Sequence, residues 1–273
     1  MSDFTYLSLG AGVQSSALLV CSALGLHNVP KADIVIFADT GDEPQYVYSY
    51  LDTLEAWTAG RIPIRRAKHA NGMSLSEAIV ATKDTLRRCA MAPFYVAKDG
   101  NGKEGMLRRQ CTTEYKIDVI HRTLREELGI APRQPLRTRA TALIGISVDE
   151  AHRMKPARHK MVLNTYPLVD ANLTRRDCER IVLSVGLPKP QKSACIMCPY
   201  HSDAWWHNLK ANHPVDFDRA VRFDLKVRNL KHRGAELPVY VHRSCQPLDQ
   251  VDFDPMRDQI DMFGNECEGM CGV

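Results

Sequence analysis

The sequence predicts an α/β protein built on a doubly wound, mostly parallel sheet, and three observations carry that expectation. Short apolar runs alternate with helix-patterned stretches through the first 65 residues. A turn of small residues, SLGAGVQSS (Ser8–Ser16), joins the first apolar run directly to the first helix. A further apolar run, ATALIGI (140–146), returns after a long irregular stretch. Strands separated by helices need crossover connections, and crossovers make parallel sheets.

Phe4 to Leu9 reads as the first buried strand and Ser15 to Leu24, rich in Ala and Leu, as the helix that follows. DIVIFA (33–38) is a second apolar strand, closed by the turn DTGDEP and a helical stretch from Gln45 to Trp57. Ile62 to Ile64 is a candidate third strand, and Ser74 to Arg88 a possible helix. After the polar loop AKDGNGKEG, residues Tyr115, Ile117, Ile120 and Leu124 recur at helical spacing, and Gly129 supplies a stop. Beyond Pro167 the pattern turns mostly helical, with Thr174 as an N-cap for RRDCERIVLSVG. The chain is therefore expected to divide into an α/β domain over 1–165 and a mainly helical, cysteine-containing region over 166–273.

Composition narrows the function. No run approaches the roughly 18 apolar residues of a membrane span, and Asp3 leads straight into a strand without a signal-peptide pattern, so a cytoplasmic protein is expected. The net charge is +4, yet the first sixty residues hold seven acids against Lys31 alone. The remainder is strongly basic, with clusters at Arg61 to Lys68, Arg87–Arg88, Arg133 to Arg139 and Arg153 to Lys160. That asymmetry suits a polyanion or a phosphate-rich substrate, and equally a solvated basic face. Nine cysteines exceed what packing needs, and their odd number argues against a fully paired disulfide framework.

A strand, a glycine turn and a helix N-terminus together make an anion site, because unpaired backbone N–H groups converge on the positive end of the helix dipole. Here Gly10 and Gly12 allow close approach, while Ser8, Ser15 and Ser16 add hydroxyls. The loop lacks the Gly-Lys-Ser/Thr ending of a Walker loop and is not G-x-G-x-x-G. Asp39-Thr40-Gly41 ends the second strand at the same sheet edge, where open α/β sheets bind ligands.

At these residues the chain resembles the PP-loop superfamily, the adenine nucleotide alpha-hydrolase-like ATP pyrophosphatases and their PAPS reductase relatives. GAGVQSS is similar to the family's SGGxDSS loop, and FADTGDEP to the reductase branch's DTG followed by Pro. RRQCTTEYK and GISVDEAHR resemble two later motifs of that branch, and YPLVDANLTRRDC and SACIMCPYHSDAWW its distal region. The resemblance covers most of the chain. It implies that Gly10, Gly12, Gln14, Ser15 and Ser16 hold ATP phosphates and that Asp39, Thr40 and Gly41 lie near the adenosine. Gly145 to Arg153 would return to the nucleotide, with Asp149 or Glu150 a metal or ribose contact and Arg153 a phosphate contact. The family's loop Asp is Gln14 here and its leading Ser is Gly10, which leaves magnesium binding by that carboxylate without its usual ligand.

Cys195-Ile-Met-Cys198 can grip one zinc ion or neighbouring corners of an iron-sulfur cluster. Cys267 and Cys271 form a second pair, and Cys111 stands where related enzymes carry a cluster cysteine, without the family's doublet. Three readings stay open: a 4Fe-4S cluster on Cys111, Cys195 and Cys198 with Cys267, Cys271 or an open iron as fourth position; a zinc site of Cys195, Cys198, Cys267 and Cys271; or redox-active terminal cysteines. Cys21 reads as core, while Cys89, Cys178 and Cys245 are unassigned. His201 is expected beside the site rather than in it, Trp205 and Trp206 in the core, and Lys116 either on a phosphate or at the surface. The expected function is ATP-dependent adenylation with pyrophosphate release, serving sulfur transfer to a nucleic acid (DNA or tRNA) or nucleotide, with Ser15, Arg153 and Cys111 as catalytic candidates. ATP and Mg2+ are the expected cofactors and a sulfur-donor protein a possible partner. The alternatives are a PAPS or APS reductase-like enzyme and a nucleotide-binding subunit with structural zinc.

Overall fold

A computed structural model describes residues 4–86, 88–96, 105–131, 134, 139–160 and 162–255. Five strands form one parallel sheet: β1 (Phe4–Leu9), β2 (Ile34–Asp39), β3 (Ile64–Lys68), β6 (Ala140–Ile144) and β7 (Val162–Thr165). Their order is β3-β2-β1-β6-β7, with Leu7 in register with Val35 on one side and Leu143 on the other. From β1 the chain winds outward to β2 and β3, then crosses back to β6 and β7. The direction therefore reverses between β1 and β6, and the carboxyl ends of those two strands frame the crevice in which such sheets bind ligands.

Alternation along each strand buries both faces. Leu7, Leu9, Val35, Phe37 and Leu143 pack against α1 (Val13–Leu24), α2 (Gln45–Thr58) and the pair α5 (Pro167–Asp170) and α6 (Arg175–Ser184). Tyr6, Ile34, Ile36, Ala142 and Ile144 turn the other way onto α4 (Asp118–Glu127). Thr174 caps α6 as its sequence suggests, its side chain accepting from Asp177 N–H while the Asp177 carboxylate accepts from Thr174 N–H. α6 lies against α1, so the distal region contributes directly to the first core.

A further core gathers α3 (Leu75–Val80), α7 (Asp203–Asn212) and α8 (Pro214–Val227) around Phe94, Trp206, Phe223 and Val239. Above it lies a small antiparallel sheet, ordered β5 (Gly105–Met106), β4 (Tyr95–Val96), β8 (Val239–Tyr240). The sequence pattern showed neither this sheet nor β7, because strands of two to four residues carry too little alternation to register. The helix expected over 74–88 runs only from Leu75 to Val80, opened by a Ser74–Glu77 capping box. The third strand starts at Ile64 rather than ending there. Trp206 is fully buried and Trp205 nearly so, which places both in the core. Among the described residues no helix is long and apolar enough to cross a membrane.

Candidate functional site

Two clefts adjoin at the carboxyl edge of the main sheet. The first is built on backbone. Ala11 adopts a left-handed φ of 57° between Gly10 and Gly12, which turns the chain sharply from β1 into α1. Gly12 is the N-cap and supplies no side-chain cap, so the first turn of α1 faces the cleft with backbone alone. Ser15 ties the loop to itself: its Oγ accepts from Gly10 N–H at 3.2 Å and donates to the Gly12 carbonyl at 3.3 Å. On the other side of the crevice, Gly145 follows β6 so closely that a Cβ there would sit 2.7 Å from Ser15 Cα, whereas a Cβ on Gly12 would meet open space.

The resulting open cleft is lined by Gly10, Gly12, Gln14, Ser15 and Gly145 together with Glu150, Arg153, Arg175 and Gln191 to Ser193. Arg153 is paired with Glu150 at 2.7 Å, and Arg175 donates to Gln14 Oε1 at 3.3 Å. Three cations, Arg153, Arg175 and Lys192, thus face one carboxylate. Gln14 is buried, and its Nε2 has no hydrogen-bond partner among the described residues. An orphaned amide donor beside uncapped N–H groups and three cations is a strong acceptor-seeking arrangement, suited to a phosphate or sulfate.

Of the residues singled out in the sequence, Gly10, Gly12, Gln14, Ser15, Gly145 and Arg153 meet in this cleft. Ser8 and Ser16 are buried behind it and do not line it. Asp149 also stays outside; its Oδ2 accepts from Arg175 N–H at 2.5 Å and from Ser147 Oγ at 3.3 Å, fixing the start of α6. Asp39 accepts from Gly41 N–H and from Tyr48 OH, both at 2.8 Å. Gly41 has φ 78° and backs onto Ser74, where a Cβ would clash at 2.5 Å. Arg175, Gln191, Lys192 and Ser193 were not singled out; Arg175 directly follows the recognised N-cap, whereas the Pro-rich LPKPQKS stretch carries no periodic signal.

The second cleft is made of side chains. Cys111, Cys195 and Cys198 line it together with Thr40, Arg109, Lys116 and Tyr200. Cys111 opens onto a π-type turn over Thr113–Ile117, a distortion often found at functional sites. Cys195 Sγ is hydrogen-bonded to Thr40 Oγ1 at 3.2 Å and lies 3.9 Å from Glu43 Oε1. Burial drives the Cys195 thiol well above its usual range, and the Glu43 charge adds to this while Lys116 opposes it. Lys116 is buried rather than on the surface; its Nζ stands 3.9 Å from Glu43 Oε1, and Ser193 Oγ donates to Glu43 Oε2 at 3.4 Å. Glu43, an acid just past the DTG strand end, is thus the junction of the two clefts.

His201 hydrogen-bonds the Cys195 carbonyl at 2.8 Å through Nε2 and stacks on Trp205, and burial holds its pKa well below the usual range. It therefore supports the cysteine loop as a neutral ring. Cys21 and Cys178 are core residues whose thiols burial pushes up to about 11 and about 12. Cys89 packs at the edge of the second core and donates to the Ala90 carbonyl at 3.1 Å. Cys267 and Cys271 lie outside the described residues, as do Arg133 and Arg137. Among the described residues no group of three or more His, Cys, Asp or Glu is arranged around a single ion. Three thiols on one cleft nevertheless form the soft donor set that iron-sulfur clusters use.

No family model matches the chain, and no curated protein matches it in sequence. Among solved structures the chain is similar to phosphoadenylyl-sulfate (PAPS) reductase from Candida auris in a phosphate complex. The TM-score is 0.42 and the identity 14%, over 70% of this chain and 76% of that one.

Proposed function

We propose that this protein is an enzyme of the PP-loop type that binds an adenine nucleotide in the glycine-lined cleft and couples it to sulfur chemistry in the cysteine cleft. The observation that carries this reading is the continuity of one segment: Gln191 to Ser193 line the first cleft and Ala194, Cys195, Met197 and Cys198 the second. A nucleotide that orders the first half of this loop acts on the cysteines through the second.

With ATP bound, an acceptor oxygen attacks the α-phosphorus, the bond to the leaving phosphate breaks, and pyrophosphate departs. The α1 N-terminus, the Gln14 amide, Arg153, Arg175 and Lys192 are aimed at the charge that grows on that leaving group, the role a preorganised anion site performs best. A sulfur nucleophile then attacks the atom bearing the adenylated oxygen, and AMP leaves. Cys111, Cys195 and Cys198 are the residues that would hold a 4Fe-4S cluster, which when bound supplies or stores sulfur. The basic surplus of residues 61–273 fits a nucleic-acid acceptor such as DNA or tRNA.

One observation favours a second reading. Gln14 occupies the place of the expected loop carboxylate and is engaged by Arg175, so the cleft offers side-chain cations where magnesium would be held. A sulfonucleotide such as PAPS, reduced by thiol attack on its sulfur, suits such a cleft. Pyrophosphate release from ATP, measured with and without DNA or tRNA, tests the first reading, and thioredoxin-dependent sulfite release from PAPS the second. The first is supported if ATP turns over and Arg153→Ala lowers the rate at least tenfold. Nucleotide binding without either product would make the protein a sensor and end both enzymatic readings.

A further inference from the structure

The C-x-x-C segment is closed into a tight turn. Cys198 N–H donates to the Cys195 carbonyl at 3.0 Å, so the two cysteines are the first and last residues of a four-residue turn. The ends of such a turn stand less than about 7 Å apart at Cα, and disulfides form across Cα separations of about 4.4 to 6.8 Å. The central residues Ile196 and Met197 are 3% and 1% exposed, whereas both cysteines stay half-buried and line the cysteine cleft together. The turn thus buries its apolar pair and presents both thiols to one cavity.

Bonds from outside hold the turn in this shape. Ile196 N–H donates to the Asp42 carbonyl at 2.8 Å, His201 Nε2 to the Cys195 carbonyl at 2.8 Å, and His201 N–H to the Cys198 carbonyl at 3.3 Å. Behind the turn, Ile196 and Met197 also line a further cleft with Asp42, Val80, Arg219 and Phe223, which leaves space for the small shift that closing a sulfur–sulfur bond requires. Among the described residues the two thiols belong to no group of three or more His, Cys, Asp or Glu able to hold one ion, so a pair is the unit the structure presents. Arg109 and Lys116 line the same cleft, and cations beside a dithiol suit a substrate whose reacting sulfur carries negative oxygens.

We propose that Cys195 and Cys198 are a dithiol–disulfide couple that supplies the electron pair for reducing a sulfonucleotide. The inference rests on the reductase reading given under Proposed function. One thiolate attacks the sulfonate sulfur, the bond from that sulfur to the phosphate oxygen breaks, and the nucleotide phosphate leaves as S-sulfocysteine forms. The second thiol loses its proton and attacks the sulfur of that cysteine; the disulfide forms, and sulfite departs with the electron pair. The sulfonate sulfur is reduced by two electrons and the two thiols are oxidised by two, and an external dithiol such as thioredoxin restores the pair.

The full chain, purified anaerobically, is equilibrated in mixtures of reduced and oxidised dithiothreitol, trapped by alkylation and mapped by mass spectrometry. Cys195 and Cys198 should lose alkylation together as one internal loop of a tryptic peptide, while Cys111 stays alkylated. Cys111 linked to either cysteine, or both thiols still alkylated in excess oxidised dithiothreitol, overturns the proposal. So does a chain that carries about four irons as purified, with Cys195 and Cys198 shielded from alkylation, an outcome that favours the cluster. The mapping uses wild type alone, so it decides even where a variant fails to fold. In a second measurement, the reduced chain meets PAPS without thioredoxin and should release about one sulfite per chain. Cys195→Ser and Cys198→Ser should each release none. Full sulfite from either variant shows that another thiol supplies the electrons and overturns the assignment. A wild type that closes the disulfide yet releases no sulfite overturns the reductase reading, and the electron-donor role with it, and leaves the couple standing.

Discussion

The two adjoining clefts are assembled in opposite ways. The glycine-lined cleft takes its shape from main chain, the ends of β1 and β6 and the first turn of α1, and its critical residues are those without side chains, Gly10, Gly12 and Gly145. The cysteine cleft takes its shape from side chains carried by the β2 turn, the π-type turn after Cys111 and the C-x-x-C loop, held together by a buried acid and a buried lysine. A backbone site is fixed once the sheet forms. A side-chain site has to be held by pairing of groups that are costly to bury.

Lys116→Met should therefore produce the largest effect. It takes a cation away from fully buried Glu43, and breaking such a pair by removing one partner costs about 3 kcal/mol. The double variant with Glu43→Gln should recover much of that loss, and a urea-denaturation cycle measures the coupling. Additive losses would mean that the pair does not hold the cysteine cleft together. Gly145→Ala is the matching test of the other cleft. Its Cβ meets Ser15 backbone at 2.7 Å, so overpacking should cost about 2 kcal/mol and weaken nucleotide binding with it. Gly12→Ala, whose Cβ meets nothing, should leave stability nearly unchanged. Equal losses at the two glycines would erase the distinction between the close-packed Gly145 and the open Gly12.

The same contrast explains what could be read from sequence. Gly10, Gly12 and Gly145 were legible because a backbone site is written as a short contiguous motif at a strand end. Arg175, Lys192 and Glu43 were not singled out, since their roles depend on α6 packing against α1 and on a Pro-rich loop returning to the sheet. Cys111, Cys195 and Cys198 were legible as residue types, but nothing in their spacing shows that Thr40 lies beside them. The small β4–β5–β8 sheet was invisible for the same reason: its strands are only two residues long and gain their partners from afar.

A pH scan separates both clefts from the scaffold beneath them. His121 on α4 meets His159 edge-on at 3.8 Å, and burial, with the charges of His159 and Arg158, lowers its pKa to about 4. Because the folded state resists protonation, this stability is present above pH 6.5 and is lost as pH falls through 6.5 towards 4. The loss should reach about 2 kcal/mol at pH 5. His121→Leu should flatten that part of the stability curve measured by urea denaturation. An unchanged acid slope would mean that His121 is not the group responsible.

The smallest expected effect lies where the distal region enters the backbone-built cleft. Thr174 caps α6 reciprocally with Asp177, and the next residue, Arg175, reaches Gln14 across the crevice while its N–H is held by Asp149. Thr174→Ala removes the cap for about 1 kcal/mol, measurable as a lower urea midpoint. Thr174→Ser, which keeps the hydroxyl, should restore most of it. If α6 is a working wall of the cleft, the Ala variant also weakens nucleotide binding by a few fold, because loosening the first turn frees the Arg175 side chain to leave Gln14. Stability loss with unchanged nucleotide affinity would confine the cleft to β1, α1 and β6, and would make Arg175 a bystander rather than a part of the anion site.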